Sequence, residues 1–307
     1  MTERILVIKL GALGDFMLAL GAMEAIRKHH RDAHITLLTT KPFHDLAKKS
    51  GYFNDIIVSS RPRFYELGDW FFLFRKLNEG GYSRVYDLQL NTRTGIYYRL
   101  FIKKPEWSGV IPGSSLFYPN AQWRDMHAFD RHREILKVAG IDVSLPDLSW
   151  MTSDASRFEV PSPYVLFVPG SAPTRPEKRW PAKRFGALAL KLQREGCNVA
   201  LIGTDQEGDL MEQICRLCPE AIDLSGRTTL FDIASLARRA RAIIGNDTGP
   251  VHITALAGCP TVALFSAVIS NPAHSAPVGK AVRTVLAEDM ETLGVGPVQA
   301  ALEEIAP

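Results

Sequence analysis

The chain opens on a short apolar run, Arg4-Ile5-Leu6-Val7-Ile8-Lys9, which predicts a buried strand. A glycine-containing turn, Leu10-Gly11-Ala12-Leu13-Gly14-Asp15, and an apolar stretch of helical period over residues 16–29 follow it. The alternation continues with strands over residues 34–39, 55–58 and 84–88 and helices over 42–50, 67–78, 94–102 and 128–139. Residues 140–162 carry prolines and no sustained period. A second series then predicts strands over 164–168, 198–202, 222–224, 242–244, 261–265 and 282–286. Its helices fall over 181–195, 208–217, 231–239 and 250–257, with a terminal helix from 290. Apolar strands separated by amphipathic helices predict parallel sheets covered on both faces. The expected architecture is α/β, with two doubly wound, Rossmann-like domains over 1–145 and 163–307, joined by a linker over 146–162. The terminal helix is expected to pack back on the first domain. Such a pair predicts a cleft between the domains, with ligands at the carboxyl ends of the strands.

The length of 307 residues suits two domains, and 46% hydrophobic with 22% charged residues excludes a disordered or low-complexity chain. The four cysteines, all in the second half, are too few for a disulfide scaffold and point to a reducing compartment. No apolar run reaches the roughly 18 residues of a membrane span, and the first ten residues lack a signal-peptide core, so a cytoplasmic protein is expected. Charge is uneven. Residues 1–150 hold 21 Lys/Arg against 16 Asp/Glu, a balance of +5, whereas residues 151–307 hold 15 against 17, a balance of −2. The first half could face an acidic partner or an anionic membrane, or carry a solvated basic face.

Three loops carry the candidate chemistry. The first turn spaces its glycines Gly-x-x-Gly, and the next strand ends in Thr39-Thr40 where a dinucleotide enzyme needs an acid for the ribose, which argues against an oxidoreductase. Asp15 stands at the start of a helix, where it could cap free N–H groups or, facing the cleft, take a proton from a hydroxyl nucleophile. The second loop, residues 169–181, brings the hydroxyls of Ser171 and Thr174 together with Arg175, Lys178 and Arg179. Such a set suits a diphosphate, or solubility alone. In the third, Gly245-Asn246-Asp247-Thr248-Gly249-Pro250-Val251-His252, a strand gives way to a helix whose first N–H groups can meet an anion, with His252 in the first turn. Cys215-x-x-Cys218 lies within a helical pattern and lacks a second ligand pair, so core packing is favoured over metal or redox chemistry. Two segments interleave aromatics with cations, residues 61–76 and 97–104. Each fits either a membrane interface or a partly buried helix.

With these loops in place the chain resembles glycosyltransferase family 9, the lipopolysaccharide heptosyltransferases, over nearly its full length. The resemblance rests on Ile5-Leu-Val-Ile-Lys-Leu-Gly-Ala-Leu-Gly-Asp15, Asp87-Leu-Gln-Leu-Asn-Thr-Arg93, Val168-Pro-Gly-Ser with Lys178-Arg-Trp-Pro181, and Asn246-Asp-Thr-Gly-Pro-Val-His252. It implies a GT-B fold and metal-independent, inverting transfer of a sugar, with heptose from ADP-heptose the expected donor and a lipopolysaccharide core or related glycolipid the acceptor. No cofactor is implied, the nucleotide sugar being a substrate. The implied partners are that donor, an anionic glycolipid and the inner membrane at its cytoplasmic face, with no nucleic acid. Residue by residue, the resemblance makes Asp15 the base, with Gly14, Arg61, Arg63 and Arg93 on the acceptor side. It gives Ser171, Thr174, Lys178, Thr248 and Gly249 to the donor diphosphate, Glu207 to the ribose, Thr228 to the adenine side, and Asp247 and His252 to the sugar and phosphate end. A sugar-nucleotide epimerase or hydrolase, or a non-catalytic nucleotide-sugar binding protein, are the alternatives. The chain departs from the family pattern at Phe265-Ser-Ala-Val-Ile-Ser270, where a Gly-Pro-Thr turn is usual. It departs again at Leu90, where glycine usually follows the glutamine.

Overall fold

The structure, a computed structural model, describes residues 2–306. The chain divides into two compact units, one ending at Trp150 and the other beginning at Met151. The first runs β1 (Arg4–Ile8), α1 (Leu13–His29), β2 (His34–Thr39), α2 (His44–Ser50), β3 (Asp55–Val58), α3 (Leu67–Glu79), β4 (Arg84–Asp87), α4 (Thr92–Leu100), β5 (Glu106–Gly109), β6 (Leu116–Phe117) and α5 (Ala128–Lys137). The second runs β7 (Tyr164–Val168), α6 (Ala182–Arg194), β8 (Asn198–Leu201), α7 (Gly208–Leu217), β9 (Ile222–Asp223), α8 (Leu230–Arg239), β10 (Ala242–Asn246), α9 (Gly249–Leu256), β11 (Thr261–Ser266), α10 (Pro272–Ser275), β12 (Val282–Ala287) and α11 (Val295–Ile305).

Each unit is one parallel six-stranded sheet, ordered β3-β2-β1-β4-β5-β6 in the first and β12-β11-β10-β7-β8-β9 in the second. The central strands carry apolar runs, as burial on both faces demands: β1 is buried from Ile5 to Ile8 and β7 along its whole length. In each sheet the chain starts in the middle, builds outward, and returns to the other side of its first strand. The order therefore reverses between β1 and β4, and between β7 and β10. At such a switch point neighbouring loops diverge at the carboxyl edge and leave room for a ligand.

Several boundaries differ from the expected ones, for physical reasons. Strands β5 and β6 were not expected, because Glu106-Trp-Ser-Gly and Leu116-Phe117 are too short and too mixed to show a strand period. Trp107 anchors them, fully buried and edge-on to Tyr98 and Phe101 at ring distances of 5.1 and 6.2 Å. Helix α1 begins at Leu13 with Ala12 as its N-cap, so Asp15 is the third helical residue and caps nothing. Strand β10 runs on through Gly245 and Asn246, both buried, where the strand had been expected to stop at Ile244. Helix α11 starts at Val295 and packs on α6 and β12 of its own unit.

The stretch expected to be a linker is anchored at both ends. Asp147 N–H donates to the Glu24 carboxylate at 3.1 Å and Trp150 Nε1 to Tyr52 Oη at 3.1 Å, in the first unit. Ser153 N–H donates to Ser235 Oγ at 2.8 Å, and Arg157 pairs with Asp232 at 2.7 Å, in the second. Among the described residues no helix is long and apolar enough to cross a membrane.

Candidate functional site

In the first unit the turn after β1 needs its glycine. Gly11 sits at φ 116°, and the Phe43 ring, stacked on Phe16 at 4.7 Å, occupies the space a Cβ would take. The turn sets an exposed Asp15 at the carboxyl edge of the sheet. The neighbouring turn after β4 is tied to it by Leu10 N–H donating to Gln89 Oε1 at 2.7 Å. Asp87 closes that second turn, its Oδ1 accepting from the N–H groups of Gln89 and Leu90 at 3.0 Å each. This is the switch point, since Asp87 pairs in register with Ile8 at the end of β1.

Beneath Asp15 lies a buried titratable group that the sequence reading missed. Lys9 Nζ donates to Leu88 O at 3.0 Å, and His132 Nε2 lies 3.0 Å from the same carbonyl. A carbonyl only accepts, so His132 carries its proton on Nε2. Burial pushes the Lys9 ammonium down to about 8, opposed by the charges of Asp15 and Asp87. Burial likewise pushes the Asp87 carboxyl up to about 6, opposed by hydrogen bonds from Thr94, Leu90 and Gln89 and by Lys9. Burial and the Lys9 charge hold the His132 imidazole neutral, down to about 3. Arg131, the residue before His132, also interacts with Asp15 and stacks over Trp123 at 5.3 Å, on which Arg124 lies at 4.4 Å. Asp15 is thus a solvent-facing carboxylate in the field of two cations, Lys9 and Arg131. A lysine ending an apolar strand was the available signal for the first. His132 lay hidden as a polar interruption on the apolar face of α5.

The three arginines expected on the acceptor side are partly brought together. Arg93 donates to Pro62 O at 2.9 Å and so fastens the loop that carries Arg61 and Arg63 to the start of α4. Arg63 donates its N–H to Glu66 at 2.6 Å and its guanidinium to Tyr65 Oη at 2.7 Å. Gly14 adjoins Asp15 in the first turn of α1. Leu90, where glycine is usual, has φ 54°. A leucine there bears left-handed strain of about 1–2 kcal/mol, offset by its burial against Trp123 and Ile135.

In the second unit, the loops after β7 and β10 are joined by one buried amide. Asn246 Nδ2 donates to Pro169 O at 2.7 Å, and its Oδ1 accepts Trp180 N–H at 3.0 Å. Lys178, expected at the donor diphosphate, and Asp247, expected at the sugar and phosphate end, are ion-paired at 2.5 Å. Thr248 is the N-cap of α9 and makes no capping bond with its side chain, Gly249 is the first helical residue, and His252 is buried one turn on. Ser171 has a scaffolding part: its hydroxyl donates to Arg175 O at 2.9 Å and accepts from Arg179 Nε at 3.0 Å. Thr174 stands exposed on the same loop. The Glu207 carboxylate caps Thr204 and packs against Gly170 and Gly203, at the ends of β7 and β8, where a Cβ on Gly170 would strike it. Thr228 Oγ1 is buried with no hydrogen-bond partner among the described residues. Cys218 lies in the core, with Cys215 packed against it.

Comparison with known proteins gives these features a context. The family described as glycosyltransferase family 9 (heptosyltransferase) matches residues 70–294, well over half of the chain, leaving the Asp15 turn outside the match. Lipooligosaccharide heptosyltransferase 2 of Haemophilus influenzae is 32% identical over 121 residues, covering 38% of this chain and 34% of that protein. The chain therefore spans about a third of the length of that curated relative. The glycosyl transferase family 9 structure from Veillonella parvula superposes with a TM-score of 0.82 at 23% identity, over 99% of this chain and 97% of that one. The Escherichia coli heptosyltransferase WaaC with ADP superposes at 0.77 and 20% identity, over 99% and 100%. These likenesses show the fold, GT-B.

Proposed function

The chain belongs to glycosyltransferase family 9, and on that premise we propose that it transfers heptose from ADP-heptose to a lipopolysaccharide core or related anionic glycolipid. It does so with inversion and without a metal, at the cytoplasmic face of the inner membrane. The observation that carries this reading is Asp15: an exposed carboxylate at the switch point of the first sheet, in the field of Lys9 and Arg131. Asp15 takes the proton of the acceptor hydroxyl as that oxygen attacks the anomeric carbon. Arg61, Arg63 and Arg93 hold acceptor anions, with Gly14 allowing close approach.

The leaving diphosphate gains charge as the glycosidic bond breaks through an oxocarbenium-like transition state. Lys178 and the N–H groups of Thr248 and Gly249 meet that charge, the role a metal has in other transferases. ADP as the nucleotide is taken from the E. coli relative, which holds it. Glu207, placed beyond the second strand of its sheet, suits the ribose, and the unpartnered Thr228 hydroxyl suits the adenine side. Asp247 and His252 complete the sugar and phosphate end, and Ser171 and Thr174 shape the diphosphate loop. Asp15→Asn should lower turnover about 100- to 10,000-fold with ADP binding kept. Near wild-type transfer by that variant would refute the reading.

A further inference from the structure

Helix α3 is apolar on the wrong side as well as the right one. Its inward face buries Leu73 and Leu77, four residues apart, in the core with Tyr97 and Trp107. Its outward face, which an amphipathic helix of a soluble protein makes polar, carries Leu67 at 74% exposure and Phe71 at 62%, again four apart. The loop before it adds Phe64 at 86%. Phe64, Tyr65, Phe71 and Phe72 are the exposed aromatics among the described residues, and all fall within one nine-residue stretch. Helix α4 lies alongside. The Trp70 and Tyr97 rings meet at 6.1 Å, Asn78 Nδ2 donates to Leu100 O at 3.1 Å, and Ile102 N–H donates to Asn78 Oδ1 at 2.8 Å. The last contact sets the exposed Ile102 beside the end of α3.

Charge follows the same residues. Residues 61–104 hold nine Lys/Arg against four Asp/Glu, a balance of +5, which equals that of the first 150 residues as a whole. The basicity of the half therefore sits on this one stretch. Lys76 lies over the Phe72 ring at 5.6 Å, and the run from Arg93 to Lys104 contains four cations and no acid. Apolar side chains in the centre, aromatics at the loop and cations interleaved are what an anionic lipid surface binds: the rings enter the headgroup boundary and the cations meet the phosphates.

We propose that the α3–α4 face, led by Phe64, Leu67, Phe71 and Ile102, docks the protein on an anionic lipid bilayer. This inference does not rest on the transferase reading. Its test is co-sedimentation of the full chain with phosphatidylcholine vesicles, with and without phosphatidylglycerol. The wild type should bind the anionic vesicles, more weakly as salt rises. Phe64→Ser/Leu67→Ser/Phe71→Ser should lose about tenfold or more of that binding, since each buried apolar side chain contributes, with an unchanged melting temperature and an unchanged circular dichroism spectrum. Lys76→Glu/Lys103→Glu should lose it selectively on the anionic vesicles. Absence of wild-type binding, or equal binding by the triple serine variant, would overturn the proposal. So would a wild-type dimer in solution that the serine variant abolishes, because the face would then belong to a second copy.

Discussion

The two units share one strand order but hold their switch-point loops by opposite means. In the first, the loops after β1 and β4 meet over Lys9, Asp87 and His132, buried groups whose charged forms are all disfavoured by the burial that positions them. In the second, the loops after β7 and β10 meet over Asn246, a neutral amide whose hydrogen bonds are the same at any ordinary pH, and one ion pair stands at its rim. Buried charge couples a site to proton concentration and sets the field around a neighbour. A buried amide gives rigidity alone. In the proposed reaction the unit that handles a proton is the one built on titratable groups, and the unit that grips a nucleotide is the one built on a fixed pin.

The sharpest way to break this contrast is at the pin. Asn246→Ala leaves Trp180 N–H and Pro169 O buried without partners and opens a small void. Stability measured by denaturant unfolding should fall by about 4 kcal/mol, with no pH dependence of the loss; a loss below about 1 kcal/mol would mean that the loops hold themselves. Lys9 gives the opposite behaviour. Its ammonium titrates near 8 in the folded chain and near 10.4 unfolded. Between those values the unfolded state binds more protons, and the folded state gains stability as pH rises. Relative to Lys9→Met, the wild type should gain on the order of 3 kcal/mol between pH 8 and 10.5 and nothing from this source below pH 8. A constant difference across that window would place the amine in contact with water. Smaller again is the rim. Lys178→Ala should weaken ADP binding by about 2 kcal/mol in calorimetry. Adding Asp247→Asn should restore part of the loss by removing the orphaned carboxylate. No change in either variant would take Lys178 out of the donor site.

Much of this was legible in the sequence because parallel sheets write themselves as apolar runs and their ligand loops as glycine, hydroxyl and charge at the ends of those runs. Asp15, Lys178 and Asp247 are singled out that way. Their surroundings are not. The Lys178–Asp247 pair joins residues 69 apart in sequence, and no local pattern encodes how two loops at a switch point are spaced. His132 and Lys9 converge on one carbonyl from α5 and the end of β1, a meeting set by packing. Strands β5 and β6 were lost for a related reason. Their pairing depends on where Trp107 is buried, and Glu106-Trp-Ser-Gly lacks the apolar run that marks the equally short β3 and β8.

Leu90 bears on motion. A glycine at this position would let the turn after β4 flex through backbone states that a leucine cannot enter. Here the side chain is buried in one cluster with Trp123 and Ile135 while its N–H is held by Asp87. The turn that meets the Asp15 loop is thereby fastened from both backbone and side chain. The Leu90 amide should exchange with solvent as slowly as the core of β4, opening only when α5 detaches. Fast exchange at Leu90, measured residue by residue, would show instead that the turn opens on its own.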